Sequence, residues 1–65
     1  LKITVNGEEQ DTQAVTLSQL CETLGYGEQR IATAVNGDFV AAEERDEVRL
    51  RQHDKVEIVA PRQGG

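Results

Sequence analysis

The chain has 65 residues, about half the commonest domain size, so it forms one domain around a thin core. Apolar residues make up 37% and aromatics 3%, and a core that small supplies about 3–5 kcal/mol of net stability and hardly encloses the roughly 300–1,000 Å³ pocket of a self-contained enzyme. Asp and Glu number 12 against 7 Lys and Arg, a net charge of −5; phosphate backbones repel that charge and a basic protein surface attracts it, which argues against nucleic acid as a partner.

In chain order, Leu1-Lys2-Ile3-Thr4-Val5 alternates apolar and polar, the period of a strand with one buried face. Asn6-Gly7 follows, the strongest short hairpin signal, because both central residues of a type I′ turn need positive φ. The returning strand runs from Glu8 to about Gln13 and is polar, as an edge strand blunted by charge should be. Thr16 then caps a helix, with Gln19 completing a capping box and Val15 and Leu20 placed for a hydrophobic staple. Leu17, Leu20, Cys21 and Leu24 share one face, and Gly25 stops the helix. At about eight residues the helix must be held by packing on a sheet.

Ile31 to Val35 reads as a third strand with ambiguous alternation. Asn36-Gly37 marks a second tight hairpin, and Asp38-Phe39-Val40 starts back. The charged stretch from Ala41 to Glu47 has room for a helical or 3₁₀ turn. Val48 and Leu50, alternating with Arg49 and Arg51 on the outside, predict a short strand, Gln52-His53-Asp54 a turn, and Val56-Glu57-Ile58-Val59 the last strand. The fold class is α+β: a mixed sheet of four to five strands with one short helix on one face.

Little in the chain carries chemistry. Cys21, His53 and Asp54 supply the residue types of a nucleophilic triad, but Cys21 lies on the apolar helix face, where a free cysteine behaves as a small hydrophobe. His53 sits in a polar turn. One His and one Cys cannot build a zinc site, and Glu43, Glu44, Asp46 and Glu47 read as a solvated face. A lone cysteine makes no internal disulfide, which suits a reducing cytoplasm. No apolar run approaches the ~20 residues of a membrane span, and no signal-peptide pattern is visible. The remaining feature is the terminal pair Gly64-Gly65, which stands just past the last strand.

With that pair in this context, the sequence resembles the ubiquitin-like β-grasp sulfur carriers, most closely those of the ThiS type in thiamin (thiazole) biosynthesis. The resemblance rests on the Asn6-Gly7 hairpin, the capped helix from Thr16, Ala34-Val35-Asn36-Gly37-Asp38-Phe39-Val40, Asp54-Lys55-Val56-Glu57-Ile58-Val59, and Gly64-Gly65. The family often has Gly-Asp where this chain has His53-Asp54, and Pro-Arg where it has Ala41-Ala42. The resemblance implies a β-grasp domain over residues 1–60 and a flexible Gly-Gly tail over 61–65, with the first and last strands parallel in the sheet's centre. It implies a carrier rather than an enzyme. Gly65 would bear the acyl-adenylate and then the thiocarboxylate, and Pro61, Arg62, Gln63 and Gly64 would be recognised by partners. It further implies no bound cofactor, with ATP and Mg²⁺ used by the partner. The implied partners are a ThiF-like adenylyltransferase related to ubiquitin-activating enzymes, a ThiG-like thiazole synthase and a sulfur-donor system. A MoaD-like carrier for molybdopterin synthesis and a ubiquitin-like protein modifier share the same fold and ending.

Overall fold

Two Asn-Gly turns and the alternation of the strands around them set most of the architecture. A computed structural model describes residues 1–61. The elements are β1 (Lys2–Val5), β2 (Glu8–Asp11), α1 (Leu17–Thr23), β3 (Ala32–Val35), β4 (Asp38–Val40), a 3₁₀ segment (Ala42–Glu47) and β5 (Lys55–Val59). The strands form one mixed sheet in the order β2-β1-β5-β3-β4. β1 and β5 run parallel and the other neighbours antiparallel, so the first and last strands lie side by side and β5 is central.

Both hairpins turn where the Asn-Gly pairs stand. Asn6 and Gly7 have φ of 50° and 85°, Asn36 and Gly37 of 51° and 87°, the left-handed values that a type I′ turn demands. β2 is the expected edge strand, but it ends at Asp11 rather than near Gln13. The Thr12 hydroxyl accepts the Ala14 N–H at 3.0 Å, a local turn that takes the backbone out of the ladder.

Helix α1 begins as the sequence predicts: Thr16 Oγ1 accepts the Gln19 N–H at 3.2 Å. The return bond differs, because Gln19 Oε1 accepts from Val15 N–H, one residue before the cap, at 2.8 Å. Val15 is exposed while Leu20 is buried, so the expected staple is absent. The fold uses the backbone of Val15 instead, whose carbonyl accepts the Leu50 N–H at 2.9 Å. The helix ends in a Schellman motif: Tyr26 N–H bonds to Cys21 O and Gly25 N–H to Glu22 O, with Gly25 at φ 89°.

The core lies between α1 and one sheet face. Leu17, Leu20 and Cys21 of the helix meet Ile3, Val5, Val40, Val56 and Ile58 of the sheet, with Leu50 closing one end. Leu24, expected on the same stripe, is only half-buried at the helix end. The predicted strand at Val48–Leu50 is a correction: the segment forms an isolated antiparallel bridge between Thr16 and Arg49 and joins no sheet. Its backbone serves the helix start instead, with Leu17 N–H on Val48 O. The 3₁₀ segment is pinned by Arg45, whose Nε donates to Thr33 Oγ1 at 2.9 Å and whose Nη2 donates to Ile31 O at 2.6 Å. No helix among the described residues is long and apolar enough to cross a membrane.

Candidate functional site

The alternation of the strands leaves a second sheet face without a helix. Register places Ala34 opposite Phe39, Ala34 opposite Glu57, and Ala32 opposite Val59. These side chains point away from Thr33, Val40 and Ile58, which are buried. Phe39 is 72% exposed and Val59 63% exposed. With Ala32 and Ala34 between them they form an apolar patch across β4, β3 and β5, bordered by the charges of Lys55 and Glu57. The signal was present in the sequence: Val59 follows Ile58 directly, and an apolar residue next to a core-facing one must face out.

The chain leaves the sheet at the edge of this patch. β5 ends at Val59, and Pro61, which has no N–H to offer a ladder, stands two residues on. Pro61, Val59, Ala32, Ile31 and Ala42 line an open groove of about 590 Å³ beside this exit, with Arg45 also on its wall. Of the residues expected to matter in the tail, Pro61 is therefore placed and exposed. Arg62, Gln63, Gly64 and Gly65 lie outside the described residues.

The residue types of a nucleophilic triad are committed elsewhere. Cys21 is buried in the core; burial pushes its thiol above the ordinary value, and the Arg45 guanidinium draws it back to a lesser degree. His53 is exposed in the turn before β5 at φ 71°. Asp54 is buried and accepts from Arg51 N–H at 2.8 Å and from Asn36 Nδ2 at 2.9 Å. It holds two turns together. Among the described residues no group of three or more His, Cys, Asp or Glu could hold a metal ion.

A mixed five-stranded sheet with parallel neighbours β1 and β5, one short helix across one face and a chain end released from β5 is the ubiquitin-like β-grasp. The fold superposes on the crystal structure of the thiamine biosynthesis protein (ThiS) from Geobacter metallireducens with a TM-score of 0.83 and 22% identity over 100% of both chains. No curated protein sequence matches the chain significantly. The model of the ThiS family matches residues 2–65. The chain belongs to the ThiS family, β-grasp sulfur carriers of thiamin biosynthesis, and is a carrier rather than a catalyst.

Proposed function

We propose that this chain carries sulfur as a thiocarboxylate on Gly65, with residues 1–60 as the docking body and 61–65 as the arm that presents the acyl group. The observation that carries this reading is the family match through residue 65, over a chain whose last strand leads through Pro61 to a double glycine. A C-terminal carboxylate, with a pKa near 3.5, is ionised at neutral pH and is a poor acyl electrophile. Its oxygen attacks the α-phosphorus of MgATP held by the activating partner, and pyrophosphate leaves. Hydrosulfide delivered by the sulfur donor then attacks the acyl carbon; the C–S bond forms, the C–O bond to AMP breaks, a proton is lost, and Gly65 keeps the sulfur as a thiocarboxylate. The partner supplies Mg²⁺ and the cationic groups that offset the phosphate charge.

The chain contributes the acyl group and the surface that presents it. Glycine at 64 and 65 lets the backbone enter a narrow channel in conformations closed to other residues. Five residues from Pro61 span up to roughly 16 Å when extended, enough to reach a partner's nucleotide while the body stays outside. The patch of Phe39 and Val59 beside the exit is the docking surface in this reading. Its partners are a ThiF-like adenylyltransferase and then a ThiG-like thiazole synthase, in a reducing cytoplasm.

The test is ATP–pyrophosphate exchange with a ThiF-type adenylyltransferase. The full chain should support exchange, and the chain lacking Gly65 should not, at an unchanged melting temperature. Exchange with a molybdopterin-type activating enzyme alone would move the chain to that pathway. Exchange without Gly65 would refute the acyl mechanism.

A further inference from the structure

The two Asn-Gly turns have matching backbones but grip opposite ends of β5. Asn36 accepts the Lys55 N–H on its Oδ1 at 2.9 Å and donates from Nδ2 to Asp54, where the strand begins. Asn6 acts near its end: Nδ2 donates to Ile58 O at 3.0 Å, and Oδ1 accepts the Ile58 N–H at 2.8 Å. These two bonds continue a series. Thr4 N–H bonds to Asp54 O, Asn6 N–H to Val56 O, both at 2.9 Å, and the next acceptor at the same spacing is Ile58 O. By then the β1 backbone has turned away into the hairpin, and the Asn6 side-chain amide, with the same donor and acceptor as a peptide group, takes the place of its backbone.

We infer that Asn6 is a positioning residue for the acyl transfer: β3 holds one edge of β5 through Val59, Asn6 secures the opposite edge at Ile58, and the two together fix the direction in which the chain leaves the body. The inference rests on the reading of Gly65 as the acyl carrier. Without Asn6, β3 alone holds the end of β5, so the strand can pivot about that edge, and Ile58 is only three residues before Pro61, where the pivot changes the direction of exit. Docking through Phe39 and Val59 leaves the partner's nucleotide fixed relative to the sheet. The arm's take-off then decides how often the Gly65 carboxylate reaches the α-phosphorus. A displacement of about 1 Å at a reacting atom costs up to about a hundredfold in rate. Losing Asn6 should therefore lower kcat and leave KM, which docking sets, nearly alone.

The experiment compares Asn6→Gly with Asn36→Gly. Glycine accepts the left-handed turn at both sites, so each substitution deletes only the side-chain grip on β5. In Asn6→Gly, kcat for ATP–pyrophosphate exchange should fall about tenfold with KM within about twofold, and the Ile58 amide should exchange its hydrogen faster than in the parent. Asn36→Gly should lower the melting temperature yet keep kcat, since its contacts lie at the far end of β5. Equal kcat losses in both variants, or no loss in Asn6→Gly, would overturn the inference and leave Asn6 as a hairpin residue. A parent chain that supports no exchange would instead sink the acyl-carrier reading, a result distinct from either. Should Asn6→Gly fail to fold, Asn6→Asp carries the test, because it tolerates the turn and retains an acceptor for Ile58 N–H but no donor for Ile58 O. Its kcat should fall part of the way, and an unchanged kcat would overturn the inference.

Discussion

The Asn36 side chain donates to the Asp54 carboxylate at 2.9 Å across 18 positions of sequence. That bond ties the β3–β4 hairpin to the turn that launches β5. Asp54 also accepts the Arg51 N–H on its other oxygen, so one buried carboxylate closes its own turn and clamps a second. Bonds of this charge-assisted kind are worth more than neutral ones, and removing the acceptor strands two donors. Asp54→Ala should lower unfolding stability by about 2 kcal/mol, read from the midpoint of urea denaturation. A change below about 0.5 kcal/mol, the scale of neutral surface substitutions, would mean the clamp is redundant.

The residue before it tells a different story. His53 sits at φ 71°, a region that costs a side-chain-bearing residue about 1–2 kcal/mol, and its exposed imidazole takes no part in a site. Glycine adopts that φ freely and loses part of the gain to its extra unfolded-state entropy. His53→Gly should therefore raise stability by about 0.5–1 kcal/mol without changing exchange activity. A lower melting temperature would show that the imidazole makes contacts that offset the strain.

Cys21 gives a pH signature. Its thiol is buried and its pKa is raised in the folded state, chiefly by desolvation, with Arg45 opposing. Below the unfolded value both states are protonated and the group adds no pH dependence. Above it the unfolded thiol ionises first, so folding stability falls as pH rises towards the folded value. As pH rises above the ordinary thiol value of about 8.5, wild type should lose stability that Cys21→Ala does not lose, in parallel denaturation series. Identical slopes would place the thiol in contact with water. Cys21→Ala should also keep thiocarboxylate formation, because the thiol faces the core.

The patch on the open sheet face separates binding from folding. Phe39 packs little surface in the free chain, so Phe39→Ala should shift stability by no more than about 0.5 kcal/mol. In the docking reading Phe39 is an aromatic anchor, so its loss should raise KM for the activating partner by about tenfold or more. Titration of the activating enzyme with each variant checks this. An unchanged KM for Phe39→Ala and Val59→Ala together would move the docking surface off this face.

Much of the fold was legible because its signals are local. Asn6-Gly7 and Asn36-Gly37 specify their hairpins through backbone φ, Thr16 specifies the helix start, and the Leu17–Leu20–Cys21 stripe names the buried side. The strand at Val48–Leu50 was misread because a short alternating segment can pair through a single bridge as easily as through a ladder, and only the tertiary position of Thr16 decides. The grips of Asn6 on Ile58 and Asn36 on Asp54 join residues 52 and 18 positions apart, so no window of sequence contains them. The tail glycines on which the acyl proposal rests stand in the sequence itself, whereas the Phe39–Val59 patch needed the β3–β4 and β3–β5 registers to become one surface.

The most direct measurement is the intact mass of the chain after incubation with the activating enzyme, MgATP and a sulfide source, followed by fragmentation to locate the change. The expected product gains the mass difference between sulfur and oxygen, wholly on Gly65, and none appears when Gly65 is deleted. Sulfur found on Cys21, or a chain recovered only as an amide-linked conjugate on lysines of other proteins, would contradict the thiocarboxylate carrier.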